Sequence, residues 1–170
     1  MAGWRVRGTF TPMHAIRVAL LAGLLMGCGN TDKDLCEDFF EPYPDLITGR
    51  VVMETNRPFL DAMQAYRKGD HAAVVDTLES YIRMPGFNKT AHLYLANAYL
   101  ATGRPYDAEL QLDHLGNDPR GLYRDEREWY TVLCWVCSGQ RDRALAGAKK
   151  IAARKHTFQD EARRLVDRLQ

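Results

Sequence analysis

Two regimes of apolar spacing divide the chain near residue 57. Before it, the most prominent apolar features are one run, residues 18–26, and one aromatic cluster, Phe39, Phe40 and Tyr43, broken by Pro42 and Pro44. After it they recur three and four positions apart, the spacing that lines one face of a helix. Phe59, Ala62, Tyr66, Val74 and Leu78 form a first unit around Gly69. Leu95, Ala96, Tyr99, Ala108 and Leu112 repeat it around Gly103. Trp129, Tyr130, Val132, Trp135, Ala144 and Ala148 repeat it again around Gly139. In each unit the glycine is the natural break, because it enters the left-handed region that residues with a Cβ resist and so closes one helix before the next begins. Pro105 suits the first turn of the helix that follows. Ala96, Ala108 and Ala144 permit close helix crossings, and Tyr99 and Trp135 fill the space between units. A last stripe, Phe158, Ala162, Leu165 and Leu169, describes an amphipathic helix over residues 157–169 that covers the open end. The pattern predicts seven helices, three pairs and a cap.

The three glycines stand 34 and 36 positions apart, and about 34 residues is the length of one tetratricopeptide repeat. The second unit is the cleanest: Leu95-Ala96, Tyr99, Gly103 and Ala108 fall where that family places its signature. Residues 57–170 are identified on these motifs as resembling the tetratricopeptide family, with two extra residues absorbed between Gly116 and Gly121. The resemblance implies an all-α, right-handed α-solenoid of about three helix pairs plus a C-terminal capping helix. It also implies a groove for a protein or peptide partner, lined by Phe59, Met63, Tyr66 and Arg67, by Leu93, Asn97 and Leu100, and by Trp129, Leu133 and Val136. Most are apolar or aromatic, suited to a helix or an extended apolar peptide whose backbone bonds Asn97. The family's chaperone-tail clamp is not matched, since leucines rather than lysines flank Asn97. Whether a partner, the chain's own aromatic strip or the capping helix fills the groove is left open by the sequence.

Residues 1–27 carry Arg5, Arg7 and Arg17, no acid, and then the apolar run, which is the profile of a signal peptide and is too short for a lasting transmembrane helix. Leu25-Met26-Gly27-Cys28 closes the run and resembles a bacterial lipobox, which implies lipidation (palmitate among the acyl groups) and cleavage at Cys28. An ordinary secretory signal and an uncleaved anchor are the alternatives, and Met13 is a second candidate start. Gly29 after the cysteine resembles an outer-membrane address. The expectation is a lipoprotein held at a bacterial membrane, on the outer membrane, facing periplasm or cell surface. Residues 28–56 divide into a polar tether and a Pro-punctuated aromatic segment expected to lie extended against the first unit, either capping core or serving as a docking segment.

The whole chain has 23 basic and 22 acidic residues, so bulk nucleic-acid binding is not indicated. Residues 139–170 hold nine Lys/Arg against four Asp/Glu, while residues 28–138 hold eleven against eighteen. Cys134-Trp135-Val136-Cys137 has the spacing of a redox pair but falls within a helix rather than at a helix N-terminus, so core packing is the expectation. Cys36 is left to pair with Cys134, with Cys137 or with a partner. The histidines have no paired ligand spacing and no nucleophile elbow or phosphate loop occurs, so no metal, cofactor, catalytic residue or small-molecule substrate is expected. The functional expectation is a lipid-anchored adaptor in envelope or secretion-complex assembly, not an enzyme. The alternative is a thiol-dependent or cell-wall-associated periplasmic enzyme accessory.

Overall fold

The computed structural model describes residues 32–116 and 121–170. Among them lie eight α-helices and no strand: α1 (Asp32–Phe39), α2 (Arg57–Arg67), α3 (His71–Tyr81), α4 (Ala91–Ala101), α5 (Pro105–Gly116), α6 (Arg124–Cys137), α7 (Arg141–Ala152) and α8 (Gln159–Leu169). The fold class is all-α. Residues 1–31, with the signal-like run and Cys28, lie outside the described part.

The three glycines end α2, α4 and α6 in one shared geometry. Gly69, Gly103 and Gly139 have φ of +76°, +72° and +72°. Their N–H groups donate to the carbonyls of Tyr66, Leu100 and Val136 at 3.0–3.1 Å, and the next N–H in each case reaches back to Ala65, Tyr99 and Trp135 at 3.0, 2.8 and 2.8 Å. This double closure satisfies carbonyls that a helix end would otherwise leave orphaned. Asp70 then caps α3, its carboxylate accepting the Ala73 N–H at 3.1 Å, and Pro105 opens α5.

From α2 onward each helix packs on the next in chain order, α4 also touches α6, and α8 lies on α7. The small residues Ala96, Ala108 and Ala144, and with them Ala148, have no exposed surface. Tyr99 and Trp135 play matching parts between pairs. The Tyr99 hydroxyl donates to Glu79 on α3 at 2.6 Å, and the Trp135 indole N–H donates to Glu109 on α5 at 2.8 Å. Arg104 covers the first ring at 4.4 Å and Arg143 the second at 4.5 Å.

Two expectations need correction. Eight helices are described rather than seven, because residues 32–39, assigned to the tether and the extended segment, form α1. Local sequence hides it: only Leu35 is buried there, and what holds the helix is a Cys36–Cys137 disulfide spanning 101 positions, with Asp38 paired to Arg168 at 2.8 Å. The helix docks on α6, not on the first pair. Of the pairings left open for Cys36, the one with Cys137, the last residue of α6, is present, and Cys134 is a buried free thiol.

Candidate functional site

The helices α2, α4 and α6 present one row of side chains to an extended strip, residues 40–47, that crosses all three. The strip is gripped mainly by its backbone. Tyr130 of α6 donates its hydroxyl to the Glu41 carbonyl at 2.9 Å. On α4, the wholly buried Asn97 accepts the Tyr43 N–H at 2.9 Å and donates its amide to the Leu93 carbonyl at 2.9 Å. Tyr94 donates to the Pro44 carbonyl at 3.1 Å while accepting the Leu46 N–H at 3.0 Å. Tyr66 of α2 donates to the Tyr43 carbonyl at 2.8 Å.

Prolines explain why the segment is a strip: Pro42 and Pro44 lack the N–H that a helix needs and push the residues before them into extended conformation. An extended chain inside a protein must find partners for its polar backbone elsewhere, and the tyrosine hydroxyls and Asn97 supply them. Burial, the largest cause in each case, raises the pKa of Tyr66, Tyr94 and Tyr130, to about 12 for Tyr94, so these hydroxyls remain protonated donors at neutral pH. Tyr43 is also pushed up to about 12, by burial and by the neighbouring Glu126 carboxylate. Its ring meets those of Tyr94, Tyr123 and Tyr130 at centroid distances of 5.9, 6.3 and 6.4 Å. Asp45 ends the strip in a local turn, accepting the Ile47 and Thr48 N–H groups at 2.8 and 2.9 Å. Burial works against its ionisation, but the bonds from Thr48 and Ile47 and the charge of Arg67 prevail, and its carboxyl stays below the usual range.

Nine of the ten residues assigned to the groove are buried: Phe59, Met63, Tyr66, Leu93, Asn97, Leu100, Trp129, Leu133 and Val136, with only Arg67 exposed. While the strip is seated, eight of these nine are out of a partner's reach, and Trp129 borders an open cleft. Of the occupants open at the outset, it is the aromatic strip that is found in the groove, and it runs from the third pair to the first rather than along the first alone. Tyr66 and Asn97 are brought together on one residue, Tyr43. Phe59 instead stacks on Tyr81 at 5.4 Å inside the first pair, and Leu93, Leu133 and Met63 are core. The sequence reading missed Tyr94 and Tyr130. The signal was available, since each stands nine positions before its unit's glycine.

Beside the strip an open cleft of about 1060 Å³ lies between α1, α6 and α8. Trp129 and Phe158, stacked at 5.7 Å, and Tyr130 supply its aromatic part. Glu41, Glu126, Glu161 and Asp167 line it with Arg164 and Arg168. The entry to α8 is fixed to α6 at its margin. Asp125 accepts both the N–H and the hydroxyl of Thr157 at 2.8 and 2.9 Å, and the Phe158 N–H donates to His156 Nδ1 at 3.1 Å. Among the described residues no group of three His, Cys, Asp or Glu is placed to hold a metal ion. Burial pushes the Cys134 thiol well above its ordinary pKa, with Glu109 adding to the effect. Such a thiol is a poor nucleophile.

Comparison with protein-family models, with curated proteins and with solved structures gives no match. No helix among the described residues is long and apolar enough to cross a membrane.

Proposed function

We propose that this chain is a lipid-anchored, tetratricopeptide-like adaptor of the bacterial envelope, tethered through Cys28, that holds a peptide of a partner protein beside the strip seated on α2, α4 and α6. The observation that supports this reading is the grip on residues 40–47. Four side chains from three helices bind extended backbone there, which is how a face built for peptides works when recognition must not depend on side-chain identity. With the strip seated on that face, what stays open beside it is the aromatic cleft between α1, α6 and α8, and it is there that the partner's peptide lies. The adaptor is a scaffold without chemistry of its own.

Photocrosslinking in the native envelope tests the reading. A photoreactive residue in place of Glu126 should capture a discrete partner, and one in place of the exposed Tyr106 on α5 should not. Equal capture at both positions, or none at Glu126, would remove the cleft from consideration. The Cys28→Ser variant should move the protein from the membrane to the soluble fraction, and persistence at the membrane would overturn the anchor.

A further inference from the structure

A second groove, of about 820 Å³, runs along the outer side of the α6–α7 pair. Its floor is apolar: the half-buried Trp135 of α6 with Ala146 and Gly147 of α7 form its accessible part, over the buried Val132 and Ile151. The corresponding crevice of the α4–α5 pair is plugged. Counted from each pair's glycine, Gln111 stands where α7 has Gly147, His92 where α6 has Glu128, and His114 where α7 has Lys150. Gln111 bonds His92 at 2.8 Å, and His92 stacks on His114 at 5.0 Å while meeting Phe87 edge-on at 5.2 Å. At the matching places the third pair has Gly147, which Val132 and Trp135 approach too closely for a side chain, the exposed Lys150, and Glu128 paired with Arg154.

Charge and hydrogen bonding specify what the open groove takes. Four cations edge it, Arg127, Arg143, Lys150 and Arg154, against the single carboxylate of Glu128. Arg143 and Arg154 already pair with Glu109 and Glu128, whereas among the described residues Arg127 and Lys150 have no acidic partner. An anionic visitor is favoured by this edge. The floor offers almost nothing to an extended peptide, whose N–H and C=O groups would be left unsatisfied on apolar side chains. A helix brings its backbone bonds with it and needs only an apolar stripe to match the floor. Trp135 is a prepared anchor, its ring fixed by Glu109 on one edge and covered by Arg143.

We propose that the α6–α7 groove docks an acidic amphipathic helix of a partner protein, with the apolar stripe on Trp135, Ala146 and Gly147 and the carboxylates on Arg127 and Lys150. This surface is separate from the peptide-holding face, and the proposal stands whether or not that face has a partner.

Fluorescence anisotropy with the full, disulfide-linked chain tests it. The probe is a labelled helical peptide of Leu, Ala and Glu with leucines at helical spacing, compared with the same peptide carrying Lys for Glu. The acidic peptide should bind, more weakly as salt rises, and the basic one should not. The Arg127→Glu, Lys150→Glu double variant should weaken binding at least about tenfold, roughly 1.4 kcal/mol. Ala146→Trp, at an exposed position on α7, should block it while circular dichroism remains that of the parent chain. A Glu126→Ala variant should leave it unchanged. Failure of the acidic peptide to bind, equal binding of the basic peptide, or full affinity in both groove variants would overturn the proposal. Binding of phosphatidylglycerol vesicles lost in the same variants, with no binding of the peptide, would overturn it in favour of a lipid surface.

Discussion

Removing the Cys36–Cys137 link should cost this fold as much as truncating one of the largest side chains in its core. The bridge closes a loop of 101 positions, and the chain-entropy model assigns a loop of that size about 4.7 kcal/mol at 25 °C, through restriction of the unfolded chain. Native-state relaxation reduces the figure, so the Cys36→Ser, Cys137→Ser double variant should lose about 3–5 kcal/mol. For a domain of this size, a loss of that order lowers Tm by roughly 10 °C or more. The effect should be unevenly distributed. Helix α1 contributes Leu35 to the core and the Asp38–Arg168 pair to the surface, both of whose members are about half exposed, and such a pair adds only about 0–1 kcal/mol. Without the link α1 should therefore exchange its amides as an unfolded segment while α2 to α8 persist. Urea denaturation followed by far-ultraviolet circular dichroism, alongside native hydrogen exchange, measures both parts. The unlinked chain should also show a steeper urea dependence, because its unfolded state exposes more surface. A loss under about 1 kcal/mol, or a peptide map showing Cys36 joined to Cys134, would refute the reasoning.

Three further outcomes follow from the same contacts. Asn97→Ala leaves the buried Tyr43 N–H without an acceptor and should cost about 1–3 kcal/mol in chemical denaturation; a loss below about 0.5 kcal/mol would mean that this bond does not hold the strip. Gly147→Ala should destabilise, since a Cβ there would come within 2.7 Å of Val132 and 2.8 Å of Trp135, and overpacking of about 1–3 kcal/mol exceeds the helix-propensity gain of about 1 kcal/mol; a more stable variant would contradict the packing described. Burial, the first cause in each case, lowers the pKa of His71, His92 and His156 from their ordinary 6.5. The unfolded chain then binds more protons than the folded one below that value, so unfolding free energy should fall as pH drops from about 7.5 towards 5.5. A flat or rising profile would contradict the burial of these rings.

The repeating part of the molecule was legible because its determinants are local. Gly69, Gly103 and Gly139 act through the dihedral angles of their own residues, and the apolar spacing between them is set by helix geometry within a dozen positions. Helix α1 was illegible for the opposite reason. The sequence of residues 32–39 is mostly charged, and its stability comes from a bond to Cys137. The strip lies between: Pro42 and Pro44 announced an extended segment, but its course depends on Tyr66, Tyr94, Asn97 and Tyr130, which are 23 to 89 positions away from the residues they hold. Asn97 was recognised as a groove residue that bonds peptide backbone, and Tyr66 as a groove residue. What the sequence could not distinguish is a partner's backbone from the chain's own, since the chemistry of the grip is the same.

The most direct test of the account is hydrogen exchange at the single amide of Tyr43 in the native, disulfide-linked chain. Bonded to Asn97 inside the groove, it should exchange orders of magnitude more slowly than an exposed loop amide and lose that protection in the Asn97→Ala variant. Exchange at Tyr43 as fast as in an open loop would contradict the claim that α2, α4 and α6 hold extended backbone.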